Sequence, residues 1–244
     1  MKKLEIFDVT KYFDELYTLE SISLTLEDNQ FVTILGPSGS GKSTLFNIIA
    51  GIEKADHGKI LIEGQDYTGK SGRVSYMHQK DLLLPWKRIL DNTMIPLVIK
   101  GVAKNEAKKQ ASSYFSLFGL EGFENHYPHQ LSGGMRQRAA LLRTYLFAKD
   151  IMLLDEPFGG LDAITKRKMQ QWLLNVLENL RASILFITHD IDEAIFLSDR
   201  IYVLSERPAK IKATFDVDIP RPRDNGSFTS EKFVRLKEKI LDLL

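Results

Sequence analysis

An α/β fold with a β-rich start and a helical insertion follows from three observations on this 244-residue chain. Short apolar runs at 31–35, 151–154, 184–187 and 200–204 have the length and bounding residues of buried strands. Helical periodicity lies between two of them, over 163–180. From about residue 82 to 148 the texture turns helical instead, so a helical stretch interrupts the strand–helix alternation.

Taken in order, residues 4–35 alternate apolar and polar, as in Ile22-Ser23-Leu24-Thr25-Leu26, and predict β-structure. A helix follows over 44–50, with Gly51 as its stop. Residues 58–64 and 73–77 read as short strands between turn residues. Residues 104–118 form a charged amphipathic helix, and 133–147 a second with Met135, Ala139, Leu142 and Leu146 at helical spacing. Beyond Pro220-Arg221-Pro222-Arg223 and a loop at Asn225-Gly226, a last amphipathic helix spans about 230–243. Its apolar face, Phe233, Leu236, Ile240 and Leu243, either packs on the core or meets a partner. The expected division is one domain: a core of 1–81 with 149–220, a helical subdomain of 82–148, and a C-terminal extension of 221–244.

Composition excludes several classes. With 33 Lys+Arg against 32 Asp+Glu, the net charge of +1 gives no field for nucleic acid or anionic lipid. The absence of cysteine excludes disulfides, thiolate metal sites and cysteine nucleophiles, and is compatible with a reducing cytoplasm. Two lysines at the start lack an apolar stretch behind them, so no secretory signal is expected. Nothing approaches the roughly 20 apolar residues of a membrane helix, so any membrane role runs through a partner.

The most informative segment is Gly36-Pro37-Ser38-Gly39-Ser40-Gly41-Lys42-Ser43-Thr44. It fits the pattern G-x-x-x-x-G-K-[ST] between a strand and a helix, the pattern of a phosphate-binding loop. Several backbone N–H groups must converge on one polyphosphate, and glycine tolerates the angles this requires. Lys42 would reach the β- and γ-phosphates, and the Ser43 hydroxyl would ligate Mg²⁺.

Downstream, the apolar run 151–154 ends in Asp155-Glu156. The pair is either an exposed acidic turn or the site's second half. In the latter case Asp155 holds Mg²⁺ and Glu156 polarises the attacking water. The run 184–187 ends likewise in Thr188-His189-Asp190, which places His189 within reach of a γ-phosphate if it is not structural. His57, His78, His126 and His129 are read as structural.

Leu131-Ser132-Gly133-Gly134-Met135-Arg136-Gln137-Arg138 resembles the LSGGQ-x-QR signature of ABC transporter ATP-binding subunits. The phosphate loop, Gln79, this segment, Asp155-Glu156, Asp162 and His189 follow that family's order across residues 4–205. Met135 replaces the commoner Gln, a form found in the nitrate, sulfonate and taurine importer branch. The resemblance implies a P-loop NTPase (RecA-like) core sheet, an N-terminal antiparallel β-subdomain and an inserted α-helical subdomain. It also implies ATP with Mg²⁺, and two copies sandwiching two ATP head to tail. Ser132, Gly133 and Gly134 of one copy would cap the nucleotide of the other, although such a turn is also an ordinary N-cap. Gln79 would complete the Mg²⁺ shell and relay nucleotide state. Asp162 would cross the dimer seam or cap its own helix, with Gly160 standing where Ala or Ser is more usual. Phe13, with Tyr12 as the alternative, would stack on adenine.

Leu82-Leu83-Leu84-Pro85-Trp86-Lys87-Arg88 reads as an exposed apolar patch ahead of a basic pair, or as a buried loop. By resemblance, a membrane permease would seat near residues 79–88, on the cytoplasmic face of the membrane. A separate extracytoplasmic protein would bind the solute, a small anionic or nitrogen- or sulfur-containing compound. The expected reaction is ATP hydrolysis driving import. An export-coupled or non-transport ATPase and an ATP-gated clamp without turnover are the alternatives. A GTPase or kinase fits less well, because no Asn-Lys-x-Asp sequence is present and the Ser-Gly-Gly segment has no role there.

Overall fold

The computed structural model describes residues 1–148, 150–180 and 182–244. In chain order the elements begin with strands β1 (Lys2–Phe13), β2 (Leu16–Glu27) and β3 (Phe31–Leu35), helix α1 (Lys42–Ile49), and strands β4 (His57–Ile62), β5 (Gln65–Asp66) and β6 (Ser75–Met77). Helices α2 (Ile89–Ile99), α3 (Lys104–Ser112) and α4 (Gly133–Phe147) follow, then β7 (Ile151–Asp155) and α5 (Ala163–Leu180). The chain ends with β8 (Ser183–Thr188), α6 (Ile191–Leu197), β9 (Arg200–Leu204), β10 (Ile211–Asp216) and α7 (Glu231–Leu241). Two bodies result, residues 1–74 with 181–244, and residues 75–180. The second body takes β6, β7 and α5 together with the helical stretch, and the boundary expected at 149 lies outside the described residues.

The first body holds an antiparallel sheet in the order β2-β1-β4-β5 and a second set of strands, β10-β9-β3-β8. Strand β3 pairs in parallel with both β8 and β9, while β10 runs antiparallel to β9. Every residue of β3 and β8 is buried, as parallel strands covered on both faces require. Tyr202 and Thr25 tie the two sets together, with the Thr25 amide 3.2 Å from the Tyr202 hydroxyl. Strand β10 was not expected from its half-exposed alternation of small, charged and aromatic residues.

In the tail, Phe233 and Ile240 of α7 are buried, and Phe233 joins Phe228 and Phe196 in an aromatic cluster. The apolar face of this helix therefore packs on its own body. Arg223 anchors the approach to it. Its guanidinium, 2% exposed, donates to the carbonyls of Ile195, Phe196 and Ser198 at 2.7–3.0 Å and to that of Ile219 at 3.0–3.1 Å. Three of these carbonyls belong to the C-terminal end of α6, where unpaired oxygens and the helix dipole favour a cation. Burial, with the nearby charge of Arg221, draws Arg223 down to about 10, so it stays charged at neutral pH.

In the second body β6 and β7 pair in parallel, and α2 packs against α3 and α4. Phe118 meets Trp172 edge-on at 5.8 Å between ring centres, and the Arg138 guanidinium lies 4.7 Å from the Trp172 ring. Helix α3 stops at Ser112, six residues short of the expected 118. Here Ser113 Oγ donates to the Gln110 carbonyl, and tight three-residue turns (Tyr114 N to Ala111 O, Phe115 N to Ser112 O) replace helical bonds. These turns bring Phe115 and Phe118 into the core. The 82–88 segment is not uniformly exposed, since Leu82 and Trp86 face solvent at 54% and 70% while Leu83 is buried.

Replacing Arg223 by Ala would leave buried carbonyls without donors, and should cost about 3 kcal/mol or more. Urea unfolding should show a lower midpoint at unchanged slope, and Arg223→Lys should recover less than half, because one ammonium cannot reach all four oxygens.

Candidate functional site

In the first body the sheet register delivers the predicted residues to one edge. Leu35 at the end of β3 lies opposite Thr188 of β8 and Val203 of β9. The next residues, Gly36 and His189, therefore leave the sheet at the same end, beside Leu204, the last residue of β9. Gly36–Gly41 forms the loop, and Lys42 opens α1 with no side chain capping its first amides. Amides without a side-chain cap, at the positive end of the α1 dipole, are what an anion needs.

Glycine is required twice in this loop. Gly39 has φ +78°, and Gly41 has φ +109° with Leu19 Cδ2 and Thr18 Cγ2 only 2.9 and 3.0 Å from where a Cβ would stand. Lys42 is buried, and its ammonium donates to the Gly36 and Pro37 carbonyls at 2.9 and 2.7 Å, bridging the start of the loop. Ser40 Oγ is buried without a hydrogen-bond partner, a polar atom suited to a phosphate oxygen. Ser38, Gly39 and Ser43 are exposed, and Pro37 and Thr44 half-buried.

His189 is exposed one residue beyond β8. Asp190 beside it caps α6 by accepting the Glu193 amide at 3.1 Å, and the buried Glu193 carboxylate hydrogen-bonds the Thr188 hydroxyl. Phe13 is exposed at the β1–β2 hairpin with the Lys11 ammonium 5.0 Å from its ring centre. Tyr12, the alternative, already has one face stacked on Tyr17 at 4.3 Å. That leaves Phe13 as the less encumbered ring.

In the second body Met77 lies opposite Leu154, so Gln79 and the Asp155-Glu156 pair leave β6 and β7 at one end. Gln79 Nε2 donates to Glu156 Oε2 at 3.1 Å. Glu156 sits at φ +44°, a left-handed angle held by the Gly159 amide donating to its carbonyl at 2.9 Å. Asp155 is buried and accepts from the Tyr76 hydroxyl at 3.3 Å. Burial, then the Asp155 charge, push Tyr76 far above its ordinary range, so it remains a neutral donor. Tyr76 was missed from sequence, because only the pairing of β6 with β7 sets it against Asp155.

Ser132 is the N-cap of α4, accepting the Met135 amide at 3.3 Å, and Gly133 and Gly134 form its first turn. Asp162 Oδ1 accepts from the Ile164 and Thr165 amides at 3.1 and 3.0 Å, capping α5. The hydrogen bonds from Thr165 hold its carboxyl below the usual range. The exposed Ser43 hydroxyl of the first body and the Asp155 carboxylate of the second are each oxygen ligands of the kind a hard cation such as Mg²⁺ prefers.

A parallel α/β body that opens into a glycine-rich anion nest defines a nucleotide-binding protein of the phosphate-loop class. The family model for ABC transporter matches residues 19–159, and the chain belongs to that family. It is 41% identical, over 99% of its length and 91% of the relative's, to an ABC transporter ATP-binding protein of Methanocaldococcus jannaschii. It is 44% identical, over 91% and 86%, to the formylaminopyrimidine import ATP-binding protein ThiZ of Halalkalibacterium halodurans. It is 40% identical, over 98% and 94%, to the aliphatic sulfonates import ATP-binding protein SsuB of Bacillus cereus. Among solved structures it is similar to a bacterial ABC transporter cassette in dimeric form, with TM-score 0.76 and 30% identity over 89% of this chain and all of that one. The same cassette in a post-hydrolysis state with ADP and Pi gives TM-score 0.73. The chain is thus an ATP-binding ATPase of the ABC family.

The glycine geometry separates two substitutions. Gly41→Ala should abolish measurable ATP binding and lower stability by about 2 kcal/mol or more, since a steric clash adds to a strained φ. Gly39→Ala meets only the strain and should cost about 1 kcal/mol. Nucleotide titration and thermal unfolding of both variants check the contrast.

Proposed function

We propose that this ATPase powers solute import through a separate membrane permease and works as two copies closing around two ATP. The observation that carries the reading is near full-length likeness to import ATPases, at 40% identity over 98% of the chain in one case. Those relatives' names support a small anionic or nitrogen- or sulfur-containing solute, and an extracytoplasmic protein would deliver it to the permease. No helix among the described residues is long and apolar enough to cross a membrane. The chain would sit peripherally on the membrane's cytoplasmic face, with the permease seated near residues 79–88.

In this scheme the amides of residues 36–44 and the Lys42 ammonium hold the polyphosphate, and Phe13 stacks on adenine. Glu156 accepts a proton from the attacking water, and His189 contacts the γ-phosphate. Ser43, Gln79 and Asp155 would hold Mg²⁺, which neutralises phosphate charge when bound. Ser132, Gly133 and Gly134 would cap the other copy's nucleotide, with Asp162 near the seam. One feature of α4 supports that last role. Among the described residues a Cβ at Gly133 would meet nothing closer than Leu161 Cδ2 at 3.4 Å, so none of them demands glycine there. Its small size suits the approach of another molecule.

Glu156→Gln should cut phosphate release at least about 100-fold while leaving ATP affinity within a few fold. Size-exclusion chromatography should then show an ATP-dependent dimer. Ordinary turnover in that variant would remove Glu156 from the chemistry, and a monomer at saturating ATP, even with permease present, would end the paired-copy scheme.

A further inference from the structure

We propose that Arg207 is a positioning residue for the polyphosphate. From the turn between β9 and β10 it braces the tip of the phosphate loop and sets how tightly the loop holds phosphate charge. The inference rests on the ATPase reading above.

One segment, 204–210, touches the loop's surroundings at both ends. Leu204 lies under the loop's first residue, 3.1 Å from where a Cβ on Gly36 would stand. At the other end Ala209 donates to the Thr18 carbonyl at 3.0 Å and accepts from the Glu20 amide at 2.9 Å. Thr18 and Leu19 are the residues that crowd Gly41. Lys210 extends this bridge through an ion pair with Glu20 at 2.5 Å. Within the turn, Ser205 Oγ accepts the Lys210 amide at 2.9 Å, and the Ser205 amide donates to the Lys210 carbonyl at 2.9 Å. The segment is therefore a braced clip with Arg207 at its middle.

Arg207 Nη2 lies 3.9 Å from the Cβ position of Gly39, the loop's exposed tip. The residue is exposed, and among the described residues its guanidinium has neither an acidic partner nor a hydrogen bond. It lines, with Pro37, an open pocket of about 580 Å³. An arginine left unpaired on a rigid turn beside an anion nest adds positive potential where the polyphosphate binds. The guanidinium also fills the space beside Gly39, which limits how far the tip can move toward the turn. Both effects act on nucleotide affinity, and neither touches the attacking water.

The test compares wild type, Arg207→Ala and Arg207→Lys in steady-state ATP hydrolysis and in binding of ATP, ADP and AMP. Arg207→Ala should raise KM for ATP about tenfold, the effect of one charge-assisted contact, with kcat within about twofold. Loss of affinity should grow with phosphate number and shrink at high salt. Arg207→Lys should regain part of it, because charge is kept while the planar contact is lost. An unchanged KM, a fall in kcat alone, or AMP weakened as much as ATP would each overturn the proposal. If wild type itself neither bound ATP nor released phosphate, the ATPase reading would fail; normal wild-type turnover beside an unaffected Arg207→Ala would sink this inference alone.

Discussion

Strand β3 lies between β8 and β9 in a single parallel register, with Leu35 opposite both Thr188 and Val203. Everything at the phosphate-loop edge depends on that alignment. It places the loop, His189 and the Leu204 turn at the same sheet end without any side chain linking them. A slip of one residue would turn every buried side chain of β3 to the opposite face. The cost would be spread over five fully buried residues, so the loop's position is underwritten by the core. The second body repeats the device on a smaller scale, where β6 and β7 launch Gln79 and the carboxylate pair.

Backbone strain collects where these strands end. Gly39, Gly41 and Glu156 all adopt left-handed angles, and Glu156 does so without glycine's freedom. Its compensation is local, through the Gly159 amide on its carbonyl and the Gln79 amide on its carboxylate. The conformation turns the chain sharply after a buried strand and sets a half-buried carboxylate next to a buried one. Such strain persists only where surrounding structure over-determines it. Here the rigid β7 strand supplies that.

Much of this was legible because local chemistry and tertiary structure agree. Helices α4 and α5 and strand β9 run over 133–147, 163–180 and 200–204 as their sequences predict, and the caps Ser132 and Asp162 mark the helix starts. The phosphate loop was readable because its glycines answer a steric demand that composition reveals. What escaped depends on contacts distant in sequence. Tyr76 matters only through Asp155, Arg223 only through the end of α6, and Arg207 only through the tip of a loop some 170 residues earlier. Helix α3 stops short of its predicted end because the Ser113 side chain and tight turns take over the backbone bonds, although its apolar spacing continues past Ser112.

The 82–88 segment joins these two kinds of information. Its backbone is held by buried Asn92, which accepts from the Leu84 amide at 2.7 Å and donates to the carbonyls of Leu84, Lys87 and Arg88 at 3.0–3.2 Å. Arg143 adds bonds to the carbonyls of Asp81 and Leu82 at 2.5 and 2.7 Å. Leu82 itself stands at φ +47°, an unfavourable angle for a branched side chain, yet it points to solvent along with Trp86. A loop built only to cover a core would bury those two residues rather than Leu83 alone. Holding the backbone still while exposing large apolar groups lowers the ordering entropy lost on docking. That arrangement fits the proposed permease contact, which would then begin three residues from Gln79, whose amide donates to the Glu156 carboxylate.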